Sequence, residues 1–226
     1  MKEVLQDSVY FGVLISLSSY IIGLWIRRKT KLSYMNPLLI AIIITICFLL
    51  ISGVSYKSYS STSSWISYLL TPATICLAVP LYQQIELLKK NSKAILFGIL
   101  SGVLSSLVSI LLLALLFSFD HNTYVTFLPK SITTAIGMGI SEELGGYVSI
   151  SVVIIIITGV LGNIFAEGIL KLLRIEEPIA KGIAIGCSSH AVGTAKAMEM
   201  GAIEGAISGL SIVVCGILTV IGASIF

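Results

Sequence analysis

Charged side chains are scarce in this sequence of 226 residues, at 11% against about 25% in soluble domains. That shortage excludes a fold wetted by water on every side. Metal-ligand spacing is missing as well. Cys47, Cys76, Cys187 and Cys215 stand alone inside apolar segments, where thiols pack as small hydrophobes. Neither a disulfide framework nor a metal centre is expected, and no cofactor. The net charge of +3 is spread over short loops, which leaves no basic patch for nucleic acid. A cleavable signal peptide is not read either: the apolar run 8–26 is too long, and Arg27, Arg28, Lys29 and Lys31 follow it rather than precede it.

Long uncharged segments are what the sequence has instead, at 8–26, 37–54, 58–85, 94–119, 148–166 and 205–226. A helix needs about 20 apolar residues to cross a bilayer. These runs are apolar on every side, unlike the alternating strands of a membrane barrel, and in lipid only a helix satisfies its own backbone within such a run. The chain is read as an all-α integral membrane protein, a single membrane domain over 1–226. About seven transmembrane helices are expected, plus a re-entrant or half-helix, with a weak inverted repeat and broken helices.

Loop charges orient it. Basic residues concentrate in cytoplasmic loops, so Arg27 to Lys31 and Lys89, Lys90 and Lys93 mark two of these. The N-terminus is then outside and the C-terminus cytoplasmic. Lys171, Arg174 and Lys181 also read as cytoplasmic, which requires 131–141 to enter and leave on one side, with Gly145-Gly146 as the return; a full span is the alternative. On this layout the tentative inverted halves 1–118 and 128–226 pair 37–54 with 148–170, 64–88 with 182–200, and 94–119 with 205–226. Their offset is about 111 residues (Lys93 against Glu204), and the partners run oppositely. Such repeats are common in secondary transporters.

Three polar segments interrupt the apolar runs. Thr71 and Thr74 flank Pro72, with Pro80 beyond; each proline removes a helix hydrogen bond. The threonines bond either the freed carbonyls or a ligand. Pro129 precedes Lys130, Ser131, Thr133 and Thr134, a helix start that attracts anions, or else a capped helix with a snorkelling lysine. Ser189, His190 and Thr194 lie in a small-residue stretch where close helix approach is easy. An ionisable residue in lipid marks function by default, so His190 and Glu142 are proton-relay candidates. Glu167 is expected to pair with Lys171, four residues on.

These segments resemble the signatures of the LrgB/CidB family, in order: the leucine-threonine-proline-alanine-threonine and leucine-alanine-valine-proline-leucine-tyrosine strings of 70–82, the 129–134 motif, the glycine-rich run 158–162, and 189–197. Ala135 departs from the family's usual proline, and Glu167 from an uncharged position. The resemblance implies a multi-pass protein of the bacterial plasma membrane, holin-like or antiholin-like, modulating murein hydrolase activity and lysis with a small LrgA/CidA-like membrane partner. It also implies transport of small monocarboxylates, pyruvate-like or glycolate-like.

Transport is the first expectation, with the carboxylate held where Thr71–Thr74 meets Ser189–Thr194; lysis control is the alternative. Gly98 and Gly102 have the spacing of a helix-pairing motif, so a homodimer or higher oligomer is expected. An enzyme is not: Ser189 and His190 are neighbours about 100° apart on a helix and make a poor dyad.

Overall fold

The computed structural model describes residue 8 and residues 10–30 and 35–224, and Lys31 lies outside them. The chain divides into two compact units, Met1–Cys76 and Leu77–Phe226.

The first unit contains α1 (Phe11–Thr30), α2 (Pro37–Ser52) and α3 (Tyr56–Ser67). Asn36 caps α2 by accepting from Leu38 N and Leu39 N, Pro37 fills the first turn, and Gly53 ends the helix at φ 63°. Small residues draw α1 against its neighbours. Gly12 N donates to Thr62 Oγ1 at 2.9 Å, and Ser16 and Tyr59 hydroxyls meet at 2.8 Å. The uncharged run 58–85 is not one helix. α3 stops at Ser67 and α4 (Leu70–Gln83) begins after it. Pro72 occupies the first turn of α4, where a missing N–H costs no helical bond. Pro80 is inside α4, which ends three residues later.

The second unit holds α5 (Ile85–Lys90), α6 (Ser92–Leu116), α7 (His121–Phe127), α8 (Thr134–Glu143), α9 (Val148–Leu172), α10 (Pro178–Met200) and α11 (Ala202–Ala223). Among the described residues, α1, α6, α9 and α11 are long and apolar enough to cross a membrane, with α2 as a shorter apolar helix, against the seven or so expected. Their outer faces are greasy too. α9 exposes Ile150, Val153, Ile157, Leu161, Phe165 and Ile169 in one stripe at helical spacing. Water does not tolerate such a face and lipid does; the protein is a helical membrane protein.

Two segments fold back on themselves. The first comprises α7 and α8, joined by the turn at 128–133. Its ends meet: a ring N–H of His121 donates to the Leu144 carbonyl at 3.2 Å. Ser151 Oγ touches both arms, 2.9 Å from Thr126 O and 2.8 Å from Ser141 Oγ. Asp120 caps α7 through Thr123, whose hydrogen bonds hold the Asp120 carboxyl below the usual carboxylate range. At 10 residues, α8 reaches about 15 Å, too short to cross.

The second fold-back is α10, which corrects the reading of 182–200 as one crossing. His190 has φ 41° and ψ −141° in the middle of it, outside helical space. Residues 182 and 198 would stand about 24 Å apart in a straight helix. Instead Gly182 packs on Glu204 O while Met198 packs on Gly205, the next residue.

The reversal changes every later direction. Gly98 meets Ile183 and Gly102 meets Cys187, so α6 runs with the first half of α10. Gly162 meets Ser189, and Leu170 packs with Ile185, so α9 runs against it. Leu210 and Val214 share a groove with Ile95 and Ile99, whereas Gly222 meets Leu107. α6 and α11 therefore run the same way, which corrects the opposite directions expected for 94–119 and 205–226. One crossing fewer between them is the reason.

Candidate functional site

The tips of the two fold-backs approach one another. Pro129 ends the first arm, because it offers no N–H to continue α7, and the turn that follows presents Lys130 and Ser131. Lys130 Nζ donates to Ser131 Oγ at 2.8 Å and to Ser106 Oγ at 3.4 Å, and Ser106 Oγ donates to Ser131 Oγ at 3.2 Å. Among the described residues no carboxylate lies within ion-pair reach of Lys130. Its ammonium is met by the Ser131 and Ser106 hydroxyls.

Lys130 borders two cavities. The larger, of about 850 Å³, runs between α6 and the first half of α10, past Ser101, Ser105, Ser106, Ser109, Ser131 and Ser188. The smaller, of about 310 Å³, adjoins α9 and is reached by Ser188, Ser189 and Thr158. A half-buried ammonium that donates to two serine hydroxyls beside a cavity suits a small anion. The α6 serines are the part that motif reading missed. Their signal was present: 101, 105 and 109 are four apart in an otherwise apolar helix, hence on one face.

His190 and Thr194 line neither cavity. His190 is buried, and its Nε2 lies 2.8 Å from Ile155 O. A carbonyl only accepts, so that nitrogen carries the hydrogen. Gly159, one turn beyond Ile155, leaves the carbonyl open: a Cβ there would stand 2.5 Å from the imidazole. Thr194 Oγ1 lies 3.0 Å from His190 O and 2.7 Å from Ser208 Oγ. The pair fastens the break at the second tip. Thr133 caps α8 in position only, without a side-chain bond, and Thr134 opens that helix. Glu142 is exposed at the other end of α8, and no hydrogen bond among the described residues joins it to His190. Thr71 and Thr74 belong to the first unit, and their side chains lie outside the described set. Glu167 does pair with Lys171, at 2.9 Å, and also with Lys196, at 3.1 Å.

The model of the LrgB-like family matches residues 16–226. The chain belongs to the LrgB-like family. The holin-like protein CidB of Staphylococcus epidermidis is 37% identical over 219 residues, covering 97% of this chain and 95% of that one. The antiholin-like protein LrgB of Bacillus subtilis is 36% identical over 220 residues, with the same coverage. A CidB of Staphylococcus aureus is 37% identical over 207 residues, 92% of this chain and 90% of its own. No solved structure matches.

In this LrgB-like chain the second tip is also held from α9 by Asn163, whose Nδ2 donates to Val192 O at 2.8 Å. Asn163→Ala removes that bond at a cost of about 1 kcal/mol. Thermal unfolding in detergent is expected to show a lowered midpoint.

Proposed function

We propose that the chain acts as a holin-like or antiholin-like membrane protein that modulates murein hydrolase activity and lysis. Its near-complete alignment with relatives so named, at 36–37% identity, carries this reading. A small LrgA/CidA-like membrane protein is its expected partner, and the assembly a homodimer or higher oligomer. Expressed in a bacterium lacking its own LrgB-like proteins, the chain should alter the rate of detergent-induced autolysis. An unchanged rate with the partner supplied overturns the reading.

One observation favours a second reading, passage of a small monocarboxylate: the hydroxyl-bonded Lys130 between two cavities. The relatives' names support lysis control better than transport, and the second reading rests on that cavity alone. Proteoliposomes separate the two. Saturable uptake of labelled pyruvate, glycolate or lactate supports passage through the cavity. Leakage of a dye-sized solute without saturable uptake removes it and leaves a pore.

The fold-backs also revise the expected topology. With Lys89, Lys90 and Lys93 inside, α6 runs outward and the first fold-back opens outside. α9 then returns to Lys171, Arg174 and Lys181, matching their positive-inside placement. α10 begins and ends inside, so α11 finishes outside. A cysteine appended to the C-terminus, with Cys47 and Cys76 replaced by alanine, should react with an impermeant maleimide in intact cells. Protection until the cells are permeabilised restores the cytoplasmic end.

A further inference from the structure

Cys187 and Cys215 are buried free thiols, 28 residues apart in sequence, with their sulfurs 3.0 Å apart. The first stands on the first half of α10 and the second on α11. Cys187 also borders the larger cavity, and α6 presses against it: a Cβ at Gly102 would stand 2.9 Å from Cys187 Cβ. Cys47 and Cys76, by contrast, are exposed. Two thiols held this close, one of them facing a cavity, differ from isolated cysteines packed as hydrophobes. A disulfide needs the sulfurs only about 1 Å nearer.

We propose that Cys187 and Cys215 form a peroxide-reactive dithiol that closes into an intrachain disulfide between α10 and α11. Hydrogen peroxide is small and uncharged enough to enter through the cavity. Cys187 loses its proton and its sulfur attacks one peroxide oxygen; the O–O bond breaks, and the departing hydroxide takes the proton as water. Cys187 is then a sulfenic acid. The Cys215 sulfur, 3.0 Å away, attacks the Cys187 sulfur and displaces the hydroxyl, which leaves with the Cys215 proton as a second water. Two thiols and one peroxide thus give one disulfide and two waters. The bond ties α11 to the arm that carries the second tip, three residues before its break at His190.

The test uses the full chain in liposomes with Cys47→Ala and Cys76→Ala, so that only the buried pair remains. After peroxide the sample is quenched, unfolded, alkylated with N-ethylmaleimide and mapped by mass spectrometry. The expected result is a Cys187–Cys215 cross-linked peptide two hydrogens lighter than its thiol parts. Alkylation at both positions is lost together and restored by dithiothreitol, and the melting temperature rises with the cross-link. In Cys215→Ser, dimedone should trap Cys187 as its sulfenic acid. Three results overturn the proposal: both thiols remaining alkylatable at peroxide doses that oxidise free cysteine, Cys187 reaching sulfinic acid while Cys215 still takes the maleimide, or a cross-link that joins two chains.

Discussion

Lys130→Gln is expected to weaken saturable uptake of a small carboxylate by roughly 10- to 100-fold. A hydrogen bond to a charged group contributes about 1.5–3 kcal/mol, and each 1.4 kcal/mol is tenfold in affinity. Glutamine keeps a donor and most of the length but removes the charge, so the loss reads the ammonium itself. Ser106→Ala and Ser131→Ala should cost less, since each removes one of the hydroxyls that hold Nζ, at 3.4 and 2.8 Å. Lys130→Arg should retain part of the uptake, because the charge survives in a different shape. Unchanged uptake in Lys130→Gln would remove Lys130 from the path of the anion, and the absence of saturable uptake in the unmutated chain would discard the carboxylate reading. Lysis control would stand, as it rests on the relatives and not on this lysine.

Gly162→Val should deprive the second unit of its fold. A Cβ at Gly162 would collide with Ser189 Oγ and Cβ; the hydroxyl can turn into the smaller cavity, but Ser189 Cβ is fixed to the backbone next to the break. Overpacking of this kind costs about 3 kcal/mol at the upper end of its usual range. Loss of the monodisperse peak in size-exclusion chromatography is the expected readout. Gly168→Ala, on the same helix, is the control. Nothing lies within 4 Å of a Cβ there, so alanine should be neutral or should stabilise α9 by up to about 1 kcal/mol. If valine at 162 behaves like alanine at 168, the close contact between α9 and the second tip does not exist in the membrane.

The helical membrane class was legible because it depends on composition and run length, which need no partner. That the chain returns near 131–141 was legible through charge, because Lys171, Arg174 and Lys181 fell on the wrong side otherwise. The bounds were not, since α7 enters, 128–133 turns and α8 leaves, and Gly145-Gly146 lies at the open end instead of making the return. The second fold-back was hidden. Residues 182–200 have the length of a span, and nothing local announces that His190 leaves helical space, because the residues that make the break tolerable sit on other helices. Ile155 O receives its imidazole, Gly159 leaves room for that ring and Gly162 for Ser189, and Ser208 holds Thr194. That reversal sets the direction of α11 and makes it run the same way as α6. A nearer spacing than that of the expected halves is visible in the structure: α6 and α9 each have 25 residues, and each leads into a fold-back. Within the candidate site Lys130 and Ser131 were readable as a charged turn. The α6 serines 101, 105 and 109 share one face, but serine alone carries no sign of what that face meets.

The two fold-backs also constrain how the protein is made. A nascent chain enters the bilayer one apolar span at a time, and α7, α8 and the halves of α10 are each too short to be taken up as spans. Their tips carry backbone groups that lipid cannot satisfy. They must therefore wait at the membrane surface for later helices: the first for α9, which brings Ser151 to its arms, and the second for α11, which brings Ser208. A ribosome halted after Met200 would leave the second tip without its seat, and assembly of the unit is completed only when its last helix arrives.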